Sequence, residues 1–215
     1  MRKTMNKYID HTNLKATATK DDIEKLCLEA KKHNFASVCV NPAYVSFCKQ
    51  ILKTSHVKIC TVVGFPLGAN ESATKAFEAV QAIKNGADEI DMVINIGNAK
   101  AHDWEAVQKD IEEVVIACGK KAIVKVILET CYLTNEEIIA GCLCAQKAGA
   151  TFVKTSTGFG SDGATIEHII LMKKTVGNTM KIKAAGGIRD KKTALTMIEN
   201  GADRLGTSNG VALVE

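Results

Sequence analysis

The stretch 85-NGADEID-91 aligns without gaps with 148-AGATFVK-154 and with 200-NGADRLG-206. In each, Gly-Ala closes a helix-patterned segment, and glycine suits the left-handed position just past a last helical turn. A short run with strand character then begins. Three junctions of one design imply a unit repeated along the chain. The fifth residue after the glycine is Asp91, Lys154 or Gly206. Equivalent positions in a closed parallel barrel lie at equivalent heights, so these three are expected at its carboxyl-terminal rim, where barrel enzymes place their chemistry.

The alternation continues outward from the junctions. Strand-like runs are 36-ASVCV-40, 57-VKICTVV-63, 89-EIDMVI-94, 121-KAIVKVIL-128, 151-TFVK-154, 180-MKIKAA-185 and 203-DRLG-206, with 8-YIDHT-12 a weaker eighth. Helical periodicity between them predicts buried faces made of Ile23, Leu26, Cys27 and Ala30, of Ala73, Phe77, Val80 and Ile83, and of Trp104, Val107, Ile111, Val114 and Cys118. Only two prolines and no Pro/Gly/Ser linker interrupt the chain, which predicts one α/β domain spanning residues 1–215. Eight units in 215 residues fit the lower end of the (β/α)8 TIM barrel range. A doubly wound sheet would need fewer strands and often carries G-x-G-x-x-G after the first, a fingerprint missing here. A single TIM barrel is expected.

Composition narrows the function classes. Hydrophobic residues are 46% and charged residues 24%, with a formal charge of +4 and no run of five or six like charges. Such a surface argues against nucleic-acid or membrane partners and stays compatible with phosphate-bearing small molecules. The basic start MRKTMNKYID precedes no apolar signal core, and no stretch reaches the roughly 18 apolar residues of a membrane span, so the cytoplasm is expected. The eight cysteines form no CxxC pair and the five histidines are scattered. Buried reduced thiols are expected, with no metal site and no cofactor.

Lysines carry the chemistry. Alternation along the seventh run puts Lys181 and Lys183 on one face and Ile182 and Ala184 on the other, which turns both lysines towards the barrel interior. The run 123-IVKVI-127 adds Lys125. An unpaired buried ammonium is costly and sheds its proton. An amine must be neutral to attack a carbonyl, and a second cation with desolvation supplies that shift in lysine enzymes that form Schiff bases. Lys154 and Lys183 can form such a pair, one as nucleophile and the other as perturbing cation, with Asp91 as proton relay. Asp91 could equally be a structural salt-bridge partner of either lysine. The loops 186-GGIRD-190 and 206-GTSNG-210 are both glycine-rich and follow the seventh and eighth runs, where barrels often bind phosphate; Ser208 adds a hydroxyl.

The segments 10-DHT-12, 38-VCVNP-42, 61-TVVGFPLG-68, 88-DEIDMVIN-95, 153-VKTSTGFG-160, 183-KAAGGIR-189 and 206-GTSNG-210 resemble, in order and over nearly the whole chain, the signature segments of the deoxyribose-phosphate aldolase family. The resemblance implies a metal-independent class I aldolase that reversibly cleaves 2-deoxy-D-ribose 5-phosphate into acetaldehyde and D-glyceraldehyde 3-phosphate. It implies Lys154 as the Schiff-base lysine, Asp91 as proton donor and acceptor, and Lys183 as a second proton carrier that perturbs Lys154. It also puts Asp10, Thr12 and Thr157 near the sugar hydroxyls, and the phosphate around Gly158, Gly186, Gly187, Gly206 and Ser208, with Arg189 as a further contact. Some family members have lysine where this chain has Phe159, and some longer ones end in a tyrosine-bearing tail that is not seen after 211-VALVE-215. A dimer or tetramer is implied as well. A Schiff-base barrel aldolase for another sugar phosphate, or a catalytically silent sugar-phosphate-binding barrel, are the alternatives.

Overall fold

The computed structural model describes residues 4–215, so the first three residues of the basic amino-terminal stretch lie outside the described residues. Eight parallel strands close into a barrel in sequence order. They are β1 (Ile9–Asn13), β2 (Ser37–Val40), β3 (Lys58–Val63), β4 (Glu89–Val93), β5 (Ile123–Ile127), β6 (Phe152–Lys154), β7 (Lys181–Ala185) and β8 (Arg204–Thr207). The helices are α1 (Lys20–Lys32), α2 (Val45–Ile51), α3 (Ser72–Lys84), α4 (Ile96–Lys100), α5 (Trp104–Cys118), α6 (Asn135–Lys147), α7 (Ile166–Val176), α8 (Lys191–Glu199) and α9 (Gly210–Val214). Among the described residues, no helix is long and apolar enough to cross a membrane.

The repeated junction acts as its sequence implies. Gly86, Gly149 and Gly201 have φ of 108°, 80° and 115°, which an L side chain rarely tolerates, and each turns a helix end into the next strand. Helix starts are equally explicit. Thr19 and Thr134 form capping boxes with Asp22 and Glu137, satisfying amide donors that have no partner within the helix.

Outward-facing strand residues such as Val38, Ile90, Val126, Val153 and Ile182 pack with the helices into one large apolar layer. Inside the barrel the apolar cluster is small, Leu14, Cys39, Cys60 and Val62 with Phe65 against it. Charge fills much of the remainder.

The expected faces of α1 and α5 are the buried ones, with Asp110 added on α5 and Trp104 only half-buried. The face expected on α3 is only partly the buried one: Val80 and Ile83 are half-buried, with Ile83 against the core, while Ala73 is exposed. Lys75, Ala79 and Ala82 are buried, whereas Phe77 is 64% exposed. Two alanines let α3 lie close, and the Lys75 ammonium, 2.6 Å from Asp110 Oδ2, also donates to the Val93 carbonyl at 2.9 Å. Ranking positions by apolar size misplaces the centre of the buried face because that face is built from small residues and a paired cation. Lys181 also departs from expectation. It lies on the inner face by parity but at the amino-terminal opening, exposed, with its ammonium 5.7 Å from the centre of the Phe152 ring.

Candidate active site

Strand alternation sends Glu89 and Asp91 of β4, Lys125 of β5, Lys154 of β6, Lys183 of β7, Arg204 of β8 and Asp10 of β1 into the interior. Six of them close into a ring of alternating charge. Asp91 Oδ2 meets Lys183 at 2.8 Å, and Lys183 meets Asp10 Oδ2 at 2.6 Å. Asp10 Oδ1 meets Arg204 at 2.7 Å, and Arg204 meets Glu89 at 2.5 Å. Lys125 returns the circuit, 2.7 Å from both Glu89 Oε2 and Asp91 Oδ1. Three cations thus match three carboxylates. Lys154 is a fourth cation, attached to the ring at 2.9 Å through the same Asp91 Oδ2 that holds Lys183.

Local sequence explains how these groups fit. A Cβ at position 206 would stand 3.1 Å from Lys183 Cε and 3.0 Å from Ala185 Cβ, so Gly206 makes the space in which the Lys183 side chain runs. Burial raises the carboxyls of Asp91 and Asp10, but the adjacent cations outweigh it and hold both well below the usual carboxylate range. Burial would likewise lower the Lys183 and Lys125 ammonium groups, and the carboxylates on either side push them up instead.

These directions set a stability test. A depressed carboxylate contributes stability that is present above its unfolded value near 4 and is lost as pH falls through the folded one. The melting temperature should therefore fall continuously from about pH 4 down to about pH 2, and less steeply in Asp10→Asn. A melting temperature flat across that window in the parent protein would show that the ring contributes no charge-linked stability.

A cleft of about 310 Å³ opens at the carboxyl-terminal end of the barrel. Of the three lysines inside, only Lys154 lines it. Thr12, Thr157, Gly158, Gly186, Gly187, Arg189, Gly206 and Ser208 line it too, so the residues expected around sugar and phosphate come together there. Thr207 Oγ1 donates to the Ile188 carbonyl at 2.8 Å and ties the two glycine loops to each other. Asp10 is different. It is fully buried in the ring and does not line the cleft, because Lys183 and Arg204 occupy its two oxygens. The Thr157 hydroxyl is also engaged, donating to Glu129 and accepting from the Phe159 amide.

Several residues at the site carried too little signal on their own. Glu89 and Arg204 sit two positions before Asp91 and Gly206, so parity alone would have turned them inward. Lys15 and Thr207 at the cleft had only loop position to mark them. Glu129 had none, since an acidic residue after a strand usually reads as solvated. Among the described residues, Cys39, Cys60 and Asp91 bring three ligand-type atoms within 4.8 Å of one another. Their chemistry does not fit a dication, because Asp91 already faces three ammonium groups and Lys125 donates to Cys60 Sγ at 3.3 Å.

Comparison with known proteins agrees with this geometry. The family model described as DeoC/LacD family aldolase matches residues 4–213. The deoxyribose-phosphate aldolase of Carboxydothermus hydrogenoformans is 61% identical over 210 residues, covering 96% of this chain and 92% of the relative. That of Clostridium perfringens is 56% identical over 214 residues, covering 100% and 96%. Among solved structures, a putative deoxyribose-phosphate aldolase from Coccidioides immitis superposes with a TM-score of 0.95 at 45% identity, covering 98% of this chain and 84% of that one. A deoxyribose phosphate aldolase from Aeropyrum pernix, described as having a unique tetrameric structure, gives 0.91 at 32% identity, covering 98% and 89%.

Proposed function

The chain belongs to the DeoC/LacD family of aldolases, and from that premise we propose that it reversibly cleaves 2-deoxy-D-ribose 5-phosphate to acetaldehyde and D-glyceraldehyde 3-phosphate through a Schiff base on Lys154. One observation carries the assignment of the nucleophile. Lys154 is the interior lysine that meets the cleft, and the ring of ions is charge-balanced without it. It can give up its proton without leaving a carboxylate unpaired, whereas Lys125 and Lys183 each bridge two carboxylates.

The Lys154 amine adds to C1 of the open-chain sugar, and loss of water gives a protonated imine. The C3 hydroxyl gives its proton to a base while the C2–C3 electron pair moves into the imine, which releases D-glyceraldehyde 3-phosphate and leaves an enamine. Protonation at C2 and hydrolysis release acetaldehyde and restore the amine. Asp91 Oδ2 touches both Lys154 and Lys183, so a proton can pass between the two nitrogens through a single carboxylate oxygen. Lys183, with its pKa pushed up by two carboxylates, is a cation beside the reacting centre. The glycine loops after β7 and β8, with Arg189 and Ser208 beside them, are suited to the phosphate.

Incubation with acetaldehyde and borohydride should leave a reduced two-carbon adduct on Lys154, located by peptide mass spectrometry. No adduct on folded protein would overturn the Schiff-base reading and favour a silent sugar-phosphate-binding barrel. Cleavage should survive exhaustive chelation unchanged, since the lysine imine supplies the electron sink; a large loss restored by a divalent metal would contradict that. We further propose that the whole chain acts as one domain in the cytoplasm, where its eight free thiols stay reduced, and assembles as a dimer or tetramer.

A further inference from the structure

Glu129 has no part in the steps above, yet its surroundings are specific. It follows β5 with a left-handed backbone, φ 56° and ψ 64°, unusual for a residue that is neither glycine nor asparagine. Its side chain is 2% exposed, does not line the cleft, and among the described residues has no cation beside it. Both carboxylate oxygens accept from Thr157, from its amide at 3.1 and 3.3 Å and from its hydroxyl. The Thr157 hydroxyl in turn accepts from the Phe159 amide at 3.0 Å and closes a turn around Gly158. Phe159 then rests edge-on against Phe65, the ring centres 5.3 Å apart.

The neighbouring backbone is fixed to receive this clamp. Leu128 and Thr130 donate to the carbonyls of Lys154 and Thr155 at 3.0 and 2.9 Å, on either side of Glu129. A Cβ at Gly160 would meet Cys131 Sγ at 2.7 Å and Glu129 Cδ at 3.1 Å, so the far side of the turn also closes on this carboxylate. A strained backbone and a buried acid, maintained together, hold three successive cleft-lining residues.

We propose that Glu129 is a positioning residue for the reaction: its carboxylate sets the turn Thr157-Gly158-Phe159, which forms one wall of the cleft beside the phosphorylated end of the sugar. This rests on the substrate reading given above. The clamp acts on how the sugar phosphate is held and leaves the lysine chemistry intact.

Three variants test it. Glu129→Ala removes the clamp, Glu129→Gln keeps an acceptor oxygen for Thr157, and Glu129→Gly removes the clamp while relieving the backbone. In Glu129→Ala, KM for 2-deoxy-D-ribose 5-phosphate should rise about tenfold or more. Borohydride trapping of acetaldehyde on Lys154 should stay within about threefold of the parent, because that small aldehyde does not use the wall. Glu129→Gln should recover most of the KM, and Glu129→Gly should melt higher than Glu129→Ala while keeping its raised KM. Hydrogen exchange at the Thr157 and Phe159 amides should quicken by about tenfold or more in both clampless variants. Unchanged KM and unchanged exchange in folded Glu129→Gly would overturn the proposal, as would cleavage and trapping falling together in proportion to folded protein. The exchange measurement needs no substrate. Failure of the parent to cleave the sugar phosphate would therefore strike the substrate reading and leave the clamp to be decided by exchange.

Discussion

Lys154→Leu is expected to abolish cleavage, with kcat falling by about four orders of magnitude or more, while the barrel remains folded. Both halves of that expectation come from the ring. Of the three lysines inside the barrel Lys154 alone lines the cleft, and neither remaining interior lysine can take its place, since each is fully buried between two carboxylates. Removing it leaves three cations and three carboxylates still paired, so no buried charge is orphaned. Leucine suits a site whose strand neighbours Val153 and Phe152 are themselves buried. Activity, borohydride trapping and thermal melting measured on one preparation decide the matter. Substantial residual cleavage, or an adduct that reappears on Lys183, would remove Lys154 as nucleophile. A loss of activity matched by a collapse of the melting temperature would show that the ring depends on Lys154 after all.

The position of that lysine at the end of a buried strand has a physical reason. A nucleophilic amine must reach solvent-borne substrate, yet it must not be held as an ammonium by a dedicated carboxylate. At the last residue of β6, Lys154 shares a carboxylate oxygen that Lys183 also claims, and its side chain is 3% exposed where it lines the cleft. Deeper in the barrel, ions are retained only because each is paired on two sides; an incomplete set would be strongly unfavourable. Buried ion pairs are weak evidence for stability in general. Here the ring matters for what it fixes, which is the orientation of Asp91 towards two amines at once.

The barrel was legible because its evidence repeats. Gly86, Gly149 and Gly201 mark the same turn, and strand parity then predicts which side chains meet inside without any knowledge of the neighbours. The aligned junctions found Asp91 and Lys154, and parity on the seventh run found Lys183. Partnership was harder to read. Asp10 and Arg204 bond across 194 residues, and nothing local to 8-YIDHT-12 says that its aspartate faces two cations and not a sugar hydroxyl. The resemblance to known aldolases drew Asp10 near the substrate, while the structure puts it behind Lys183. On α3, apolar size pointed to Phe77, and close packing chose Ala79 and Ala82. Glu129 was silent because its role lies in backbone conformation and in one loop residue 28 positions away, neither of which composition or period records.

The second large effect is expected at Asp91. Asp91→Asn keeps the shape and removes the charge that faces Lys125, Lys154 and Lys183 together. Four cations then confront two carboxylates, and the new amide can place an NH2 against an ammonium. Removing one partner of a buried ion network costs roughly 3–5 kcal/mol, with the lower end favoured because Lys183 keeps Asp10 and Lys125 keeps Glu89. Activity should fall further than stability explains. Loss of a positioned proton carrier is worth about 10² to 10⁴ in rate, and Asp91 Oδ2 is the one atom that joins the two amines. The separation is made by measuring kcat per folded molecule at a temperature well below the variant's melting point. If folded Asp91→Asn turns over at the parent rate, Asp91 is an ion-pair partner and proton transfer runs by another route. If it still traps acetaldehyde on Lys154 but releases products slowly, the aspartate acts after the nucleophile has done its part, in the proton transfers that break and hydrolyse the intermediate.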